Sequence, residues 1–212
     1  VSYNTVLNAW KRCDYDDDAV LNAVSLLARM ATAGGAGGRD DEDDVPRPDV
    51  VSFNTVIGAY ANSHRAEKAR RAAVIFDKLL EEGLEPDTFS YAALINACAS
   101  TDVDEEKRNA LKIAMTAYDR LRVSADVDIN HYIYGAMIKA CRLTEDEDER
   151  IDLLRMLFMR CCEEGYLDAS VLKQLRFTAP RRLWIELFGD EEENRSEELH
   201  PEWSRNVVNS RS

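Results

Sequence analysis

Apolar and aromatic positions recur along this chain at helical spacing, and they recur in register. Four segments align without gaps: VSYNTVLNAW from Val1, VSFNTVIGAY from Val51, FSYAALINAC from Phe89 and YIYGAMIKAC from Tyr132. An aromatic repeats at Tyr3, Phe53, Tyr91 and Tyr134. An aliphatic pair follows at Val6-Leu7, Val56-Ile57, Leu94-Ile95 and Met137-Ile138, and alanine at Ala9, Ala59, Ala97 and Ala140. Offsets of three, four and six from the aromatic make one stripe of a helix, and the constant alanine predicts close approach of a neighbouring helix. A second stripe with offsets of three, four and seven follows each time: Ala23-Leu26-Leu27-Met30, Ala72-Ile75-Phe76-Leu79, Ala114-Ala117-Tyr118-Leu121 and Leu154-Leu157-Phe158-Cys161. Each unit is therefore predicted to be a helical hairpin.

The punctuation agrees with that reading. Gly83 and Gly165 each follow a Glu-Glu pair where a second helix should end, and Asp49 and Asp87 each follow a proline where a first helix should begin. The repeated alanines are 50, 38 and 43 residues apart, so the units share a core and differ in their connectors. These features divide the chain into four hairpins within 1–168 (about 1–49, 50–87, 88–130 and 131–168). A flexible acidic insertion is predicted at 34–48, where apolar residues to offset ordering entropy are scarce. Capping helices are predicted at 169–189, with Leu183, Trp184, Leu187 and Phe188 forming one apolar face. Residues 190–212 read as an acidic and polar tail with only Pro201 to Trp203 able to pack. The expected fold class is all-α, a right-handed α-solenoid of about four helix-turn-helix repeats with a C-terminal capping helix.

Composition changes the picture mainly through where charge sits. The 212 residues carry 40 Asp and Glu against 27 Lys and Arg, a net charge of -13, which by itself argues against a phosphate-rich partner. Five short runs, at 14–18, 34–49, 101–108, 145–149 and 190–198, hold most of the acid; the rest has 22 basic and 15 acidic residues. The helical framework is mildly basic, and the acid reads as solvation of connectors. No stretch approaches the roughly 20 consecutive apolar residues of a membrane span, so no membrane partner is predicted. Five cysteines at irregular spacing, with no CxxC, make neither a disulfide framework nor a zinc site, and reduced thiols are expected. The chain opens at Val1 with no leader pattern, so any targeting segment is expected to lie outside it.

The segment from Val50 to Asp87, with its Phe-Asn-Thr opening, mid-helix alanine and Gly-Leu-Glu-Pro-Asp close, resembles a pentatricopeptide (PPR) repeat. The resemblance covers roughly 1–168; the second unit is a strong match, the first is strong apart from its insertion, and the last two are degenerate. It implies single-stranded RNA as partner, bound one base per repeat along the first helices. By this likeness the base-reading positions are Asn4 with Asp49, Asn54 with Asp87, Ala92 with Asn130, and Gly135 with no clear closing partner. An amide can both donate to and accept from a Watson-Crick edge, and a carboxylate can fix its orientation. In the family Asn with Asp favours uracil, which implies uracil at the first two repeats. Val1, Val51, Phe89 and Tyr132 would stack on bases. Lys11, Arg12 and Arg142 would meet phosphates, while Ala61, Asn62, Ala99 and Ser100 depart from that pattern. Organellar RNA stabilisation, processing or translation, in mitochondrion or chloroplast, is what the likeness implies.

No constellation in the sequence points to catalysis. His64, His131 and His200 are dispersed, and HExxH, Walker, GxGxxG and GxSxG motifs are absent. Cys98 and Cys141 share the repeat position of Trp10 and Tyr60, which predicts packing. Glu145 to Glu149 lacks the glycine turn of a calcium loop. The expectation is a non-enzyme without metal or cofactor. Two other readings remain: a helical-repeat scaffold for a protein partner, and the recognition part of a larger enzyme.

Overall fold

The computed structural model describes residues 2–12, 17–33, 45–189 and 201–207. Among the described residues there are ten α-helices and no strand: α1 (Tyr3–Lys11), α2 (Asp17–Ala33), α3 (Val50–Asn62), α4 (Lys68–Glu81), α5 (Thr88–Ala99), α6 (Asp104–Val123), α7 (His131–Ala140), α8 (Glu147–Glu163), α9 (Ala169–Thr178) and α10 (Arg181–Phe188). Val1, most of the predicted insertion (34–44) and the tail residues 190–200 and 208–212 lie outside the described residues.

Local chemistry sets where these helices begin and end. Asp49 Oδ1 accepts the Ser52 N–H at 2.8 Å while Ser52 Oγ accepts the Asp49 N–H at 3.3 Å, a reciprocal cap that starts α3. Asp87 and Ser90 repeat this at α5, at 2.8 and 3.1 Å. Asn130 and Asp168 each accept an N–H three residues on, starting α7 and α9. At the other ends, Gly83 and Gly165 take φ of 73° and 75°. The N–H of Leu84 reaches Leu79 O, and that of Tyr166 reaches Cys161 O, so left-handed glycine turns satisfy the orphan carbonyls of α4 and α8.

The helices form a stacked all-α solenoid of hairpins. One row runs α1, α3, α5, α7, α9, each packed on the next, and α4 and α6 pack side by side behind it. Both sequence stripes face inward. Phe53, Tyr91 and Tyr134 are buried with Ala59, Ala97 and Ala140, and all sixteen second-stripe residues are buried as well. Tyr3 is half-buried and Ala9 exposed, since α1 has a first-row neighbour on one side only among the described residues. Tyr60, Cys98 and Cys141 fill one repeated core position; burial raises both thiols to about 12, which leaves them unreactive at neutral pH.

The C-terminal end departs from expectation in two ways. α9 lies against α7 as α7 lies against α5, so it continues the first row, while α10 covers α8 through Phe188 on Phe158 and Glu186 on Arg155. The tail expectation needs correction at 201–207. Trp203 does pack on Phe158, with ring centroids 6.2 Å apart, but Arg205 and Asn206 also dock. Leu167 N–H donates to Trp203 O at 2.8 Å, Asn206 N–H to Gly165 O at 2.9 Å, and the Arg205 guanidinium to Glu163 O. A β-carbon on Gly165 would stand 2.5 Å from Arg205 Cγ, so this turn needs glycine for the approach as well as for its φ.

Candidate nucleic-acid interface

Each first-row helix turns one face outward; on it the second position is exposed, the fifth half-buried, and Gly58 and Ala99 further along are buried. Counting from the cap, the second, fifth, ninth and twelfth residues are Val51, Asn54, Gly58 and Ala61 on α3, Phe89, Ala92, Asn96 and Ala99 on α5, and Tyr132, Gly135, Lys139 and Arg142 running from α7 into its C-terminal turn. Spacings of three and four keep these on one face of each helix. The stacked row then sets the faces side by side as a groove.

At the second position three successive helices expose large apolar side chains: Val51 is 56% exposed, Phe89 71% and Tyr132 62%. Packing between hairpins would have buried them, as it buries Phe53, Tyr91 and Tyr134 two residues further on. Packed helices lie about 8–10 Å apart, which leaves room for about one flat ring between neighbouring side chains of this set. Val1, the first member by sequence, lies outside the described residues.

At the fifth position the first two helices carry an amide held by a carboxylate. Asn4 Nδ2 lies 3.2 Å from both Asp49 oxygens, and Asn54 Nδ2 donates to Asp87 Oδ1 at 3.0 Å. Each Asp thus has two jobs, capping the next helix and orienting the amide of the one before. The Ser52 hydroxyl is 2.7 Å from both Asp49 Oδ1 and Asn4 Oδ1, and its single proton serves one of them at a time. Asn54 Oδ1 is buried and has no hydrogen-bond partner among the described residues. Burial pulls the Asp49 carboxyl upward, but hydrogen bonds from the Ser52 hydroxyl, the Ser52 N–H and Asn4 outweigh it and hold the group below its ordinary value.

The third and fourth pairs are built differently. Ala92 stands at the fifth position of α5, and Asn130 closes its unit as the cap of α7, where its Oδ1 accepts the Ile133 N–H at 3.2 Å. Gly135 has nothing within 4 Å of where a β-carbon would stand. Asp168 occupies the closing position that the sequence left unassigned for this unit: its Oδ1 accepts the Val171 N–H and the Ser170 hydroxyl, each at 2.8 Å. The signal was present in Glu-Glu-Gly165, but Asp168 follows its glycine by three residues, whereas Asp87 follows Gly83 by four and a proline marks it.

Cations gather at the C-terminal ends of α1 and α7 and are absent from those of α3 and α5. Lys11 reaches across to α3, where a β-carbon on Gly58 would sit 2.8 Å from its Cε and 3.0 Å from its Nζ. Arg12 and Arg142 are exposed. Lys139, which the sequence reading missed, is half-buried one turn before Arg142; burial lowers its pKa first, and the positive charges of Arg142 and Lys68 lower it further against a weaker pull from Asp102. Asn62 and Ser100, where a basic residue was wanting, are occupied otherwise: Asn62 Nδ2 donates to Lys11 O at 3.2 Å and the Ser100 hydroxyl lies 3.0 Å from Ala61 O. They stitch the ends of neighbouring first-row helices together.

Comparison with known proteins bears on the same region. Residues 48–100 match the model of the PPR repeat family. A mitochondrial pentatricopeptide repeat-containing protein of Arabidopsis thaliana is 29% identical over 47% of this chain and 12% of its own length. Two chloroplastic proteins of that name from the same plant are 30% identical over 42% of this chain and 11% of their counterpart, and 34% over 36% and 8%. The chain thus aligns with a small part of these curated relatives.

Proposed function

We propose that this chain, whose residues 48–100 match the PPR repeat family, binds single-stranded RNA along the outward face of its first-row helices, preferring uracil at the first two. The observation that carries this reading is the exposure of Val51, Phe89 and Tyr132 at one repeated position. A base stacked on an aromatic side chain gains about 1–3 kcal/mol whatever its identity. Identity is read at Asn4 and Asn54. With one Nδ2 hydrogen committed to Asp49 or Asp87, each amide has its second N–H to offer to a uracil carbonyl. Lys11, Arg12, Lys139 and Arg142 neutralise phosphates.

Among functions for such binding, stabilisation, processing or translation of an organellar transcript fits best, since the relatives' names include mitochondrial and chloroplastic proteins. The competing reading, a scaffold for a protein partner, draws on Ala92 and Gly135, which have no amide to offer. Fluorescence anisotropy with uridine-, cytidine- and adenosine-rich oligonucleotides of equal length at one ionic strength separates the two. Tighter binding of the uridine-rich strand is expected; equal binding of all three removes base reading, and no binding favours the scaffold.

A further inference from the structure

The register of α9 carries the groove one helix beyond the four hairpins. Asp168 caps α9 as Asp87 caps α5, and α9 packs on α7 within the first row. Lys173 therefore stands five residues past its cap, in line with Asn54, Ala92 and Gly135. Ser170, Lys173 and Phe177 are spaced by three and four and are all exposed, whereas Val171, Leu172 and Leu175 on the opposite side are buried. Phe177 is 76% exposed, on the turn that carries Asn96 on α5 and Lys139 on α7. A phenylalanine this exposed, on a face already lined by Phe89 and Tyr132, has no packing role that accounts for it.

Charge points the same way. Residues 169–189 hold Lys173, Arg176, Arg181 and Arg182 against one acid, Glu186, and Arg155 grips both oxygens of that acid at 2.8 and 2.9 Å. Lys173 forms no ion pair among the described residues. Arg182 pairs with Asp148 at 3.4 Å and Arg176 lies over the Trp184 ring, which leaves Lys173 as the exposed cation on the outward face of α9. An ammonium donates but cannot accept, so it lacks the paired donor and acceptor by which an amide matches a base edge. It suits a phosphate.

We propose that α9 is a fifth rung of the groove, holding one further nucleotide without regard to base identity. Its phosphate rests on Lys173, at the position where the preceding helices meet bases, and its base on Phe177, at the position where α7 meets a phosphate, so that the strand turns over at this rung. This rests on the RNA-binding reading above. The identity-blind contact would lengthen the bound strand beyond the units that read it.

The test uses the full chain and fluorescein-labelled eight-nucleotide uridine- and adenosine-rich strands, titrated from 50 to 200 mM salt. Lys173→Gln should lower the magnitude of the salt slope by about 0.7, the value for one phosphate on a single strand. Phe177→Ala should weaken both strands about 5- to 150-fold by the same factor, the range for loss of one stacked base. Both side chains are exposed, so melting temperatures should match wild type. Wild-type slope and affinity in both variants overturn the fifth rung. If Asn54→Ala still relaxes the uridine preference in that event, the groove stands without α9; if wild-type chain binds neither strand, groove and rung fall together.

Discussion

Asn54 and Asp87, 33 residues apart, are joined by a 3.0 Å hydrogen bond from amide to carboxylate, and the same carboxylate caps the helix that begins at Thr88. On the proposed reading stability and recognition meet in one side chain, and they can be separated. Serine caps a helix about as well as aspartate but is too short to reach Asn54. Asp87→Ser should leave unfolding free energy within about 0.5 kcal/mol of wild type yet reduce discrimination for uridine. Asp87→Ala should lose both, with about 1 kcal/mol of stability gone. Chemical denaturation beside anisotropy reads the two effects.

Asp49 supplies a pH dependence whose sign is fixed. Its carboxyl sits below its ordinary value in the folded chain, so the stability it contributes is present above about pH 4, where the unfolded group is ionised, and is lost as pH falls through the folded value. Asp49→Asn keeps a good cap and removes the titration. Thermal melts should show wild type losing stability relative to this variant between pH 5 and pH 2.5; parallel curves would show that the Ser52 and Asn4 hydrogen bonds do not favour the ionised form.

Lys139 runs the other way. Burial and the charges of Arg142 and Lys68 depress its pKa, so the folded chain releases this proton more readily than the unfolded one, and the native state gains stability as pH rises toward the ordinary lysine value. At neutral pH its charge is a cost to folding. Lys139→Met should therefore raise the melting temperature while weakening RNA binding and shallowing its salt dependence. A variant that melts lower and binds as before would contradict the placement of Lys139 in the groove.

Ala97 is buried in α5, at the position where the close-approach alanine recurs in neighbouring first-row helices. Ala97→Leu should overpack that contact and cost about 1–3 kcal/mol. The same change at exposed Ala9 should cost little, and urea unfolding of the two variants checks the contrast.

Much of this was legible because a helical hairpin writes its periodicity into sequence. The aromatic, aliphatic pair and alanine mark one face, and Asp49, Asp87, Gly83 and Gly165 mark ends through local hydrogen bonding. What escaped was of two kinds. The closing role of Asp168 and the place of α9 in the first row were obscured because the connector after Gly165 is one residue shorter and lacks proline, and because Leu172 replaces the repeat's aromatic. The docking of 201–207 rests on backbone bonds from Leu167 to Trp203 and from Asn206 to Gly165, and a backbone pair formed at long range leaves no side-chain pattern to read. Lys139 was missed for a simpler reason: the phosphate position implied by the resemblance lies one turn further on, at Arg142.

Ultraviolet crosslinking of the chain to a uridine-rich strand, followed by peptide mass spectrometry, tests the central claim most directly, because it reports which side chains touch bases. Adducts on the peptides carrying Phe89 and Tyr132, lost in Phe89→Ala and Tyr132→Ala, are the predicted result. Adducts confined to α4, α6 or α8, behind the first row, would contradict a base-stacking groove.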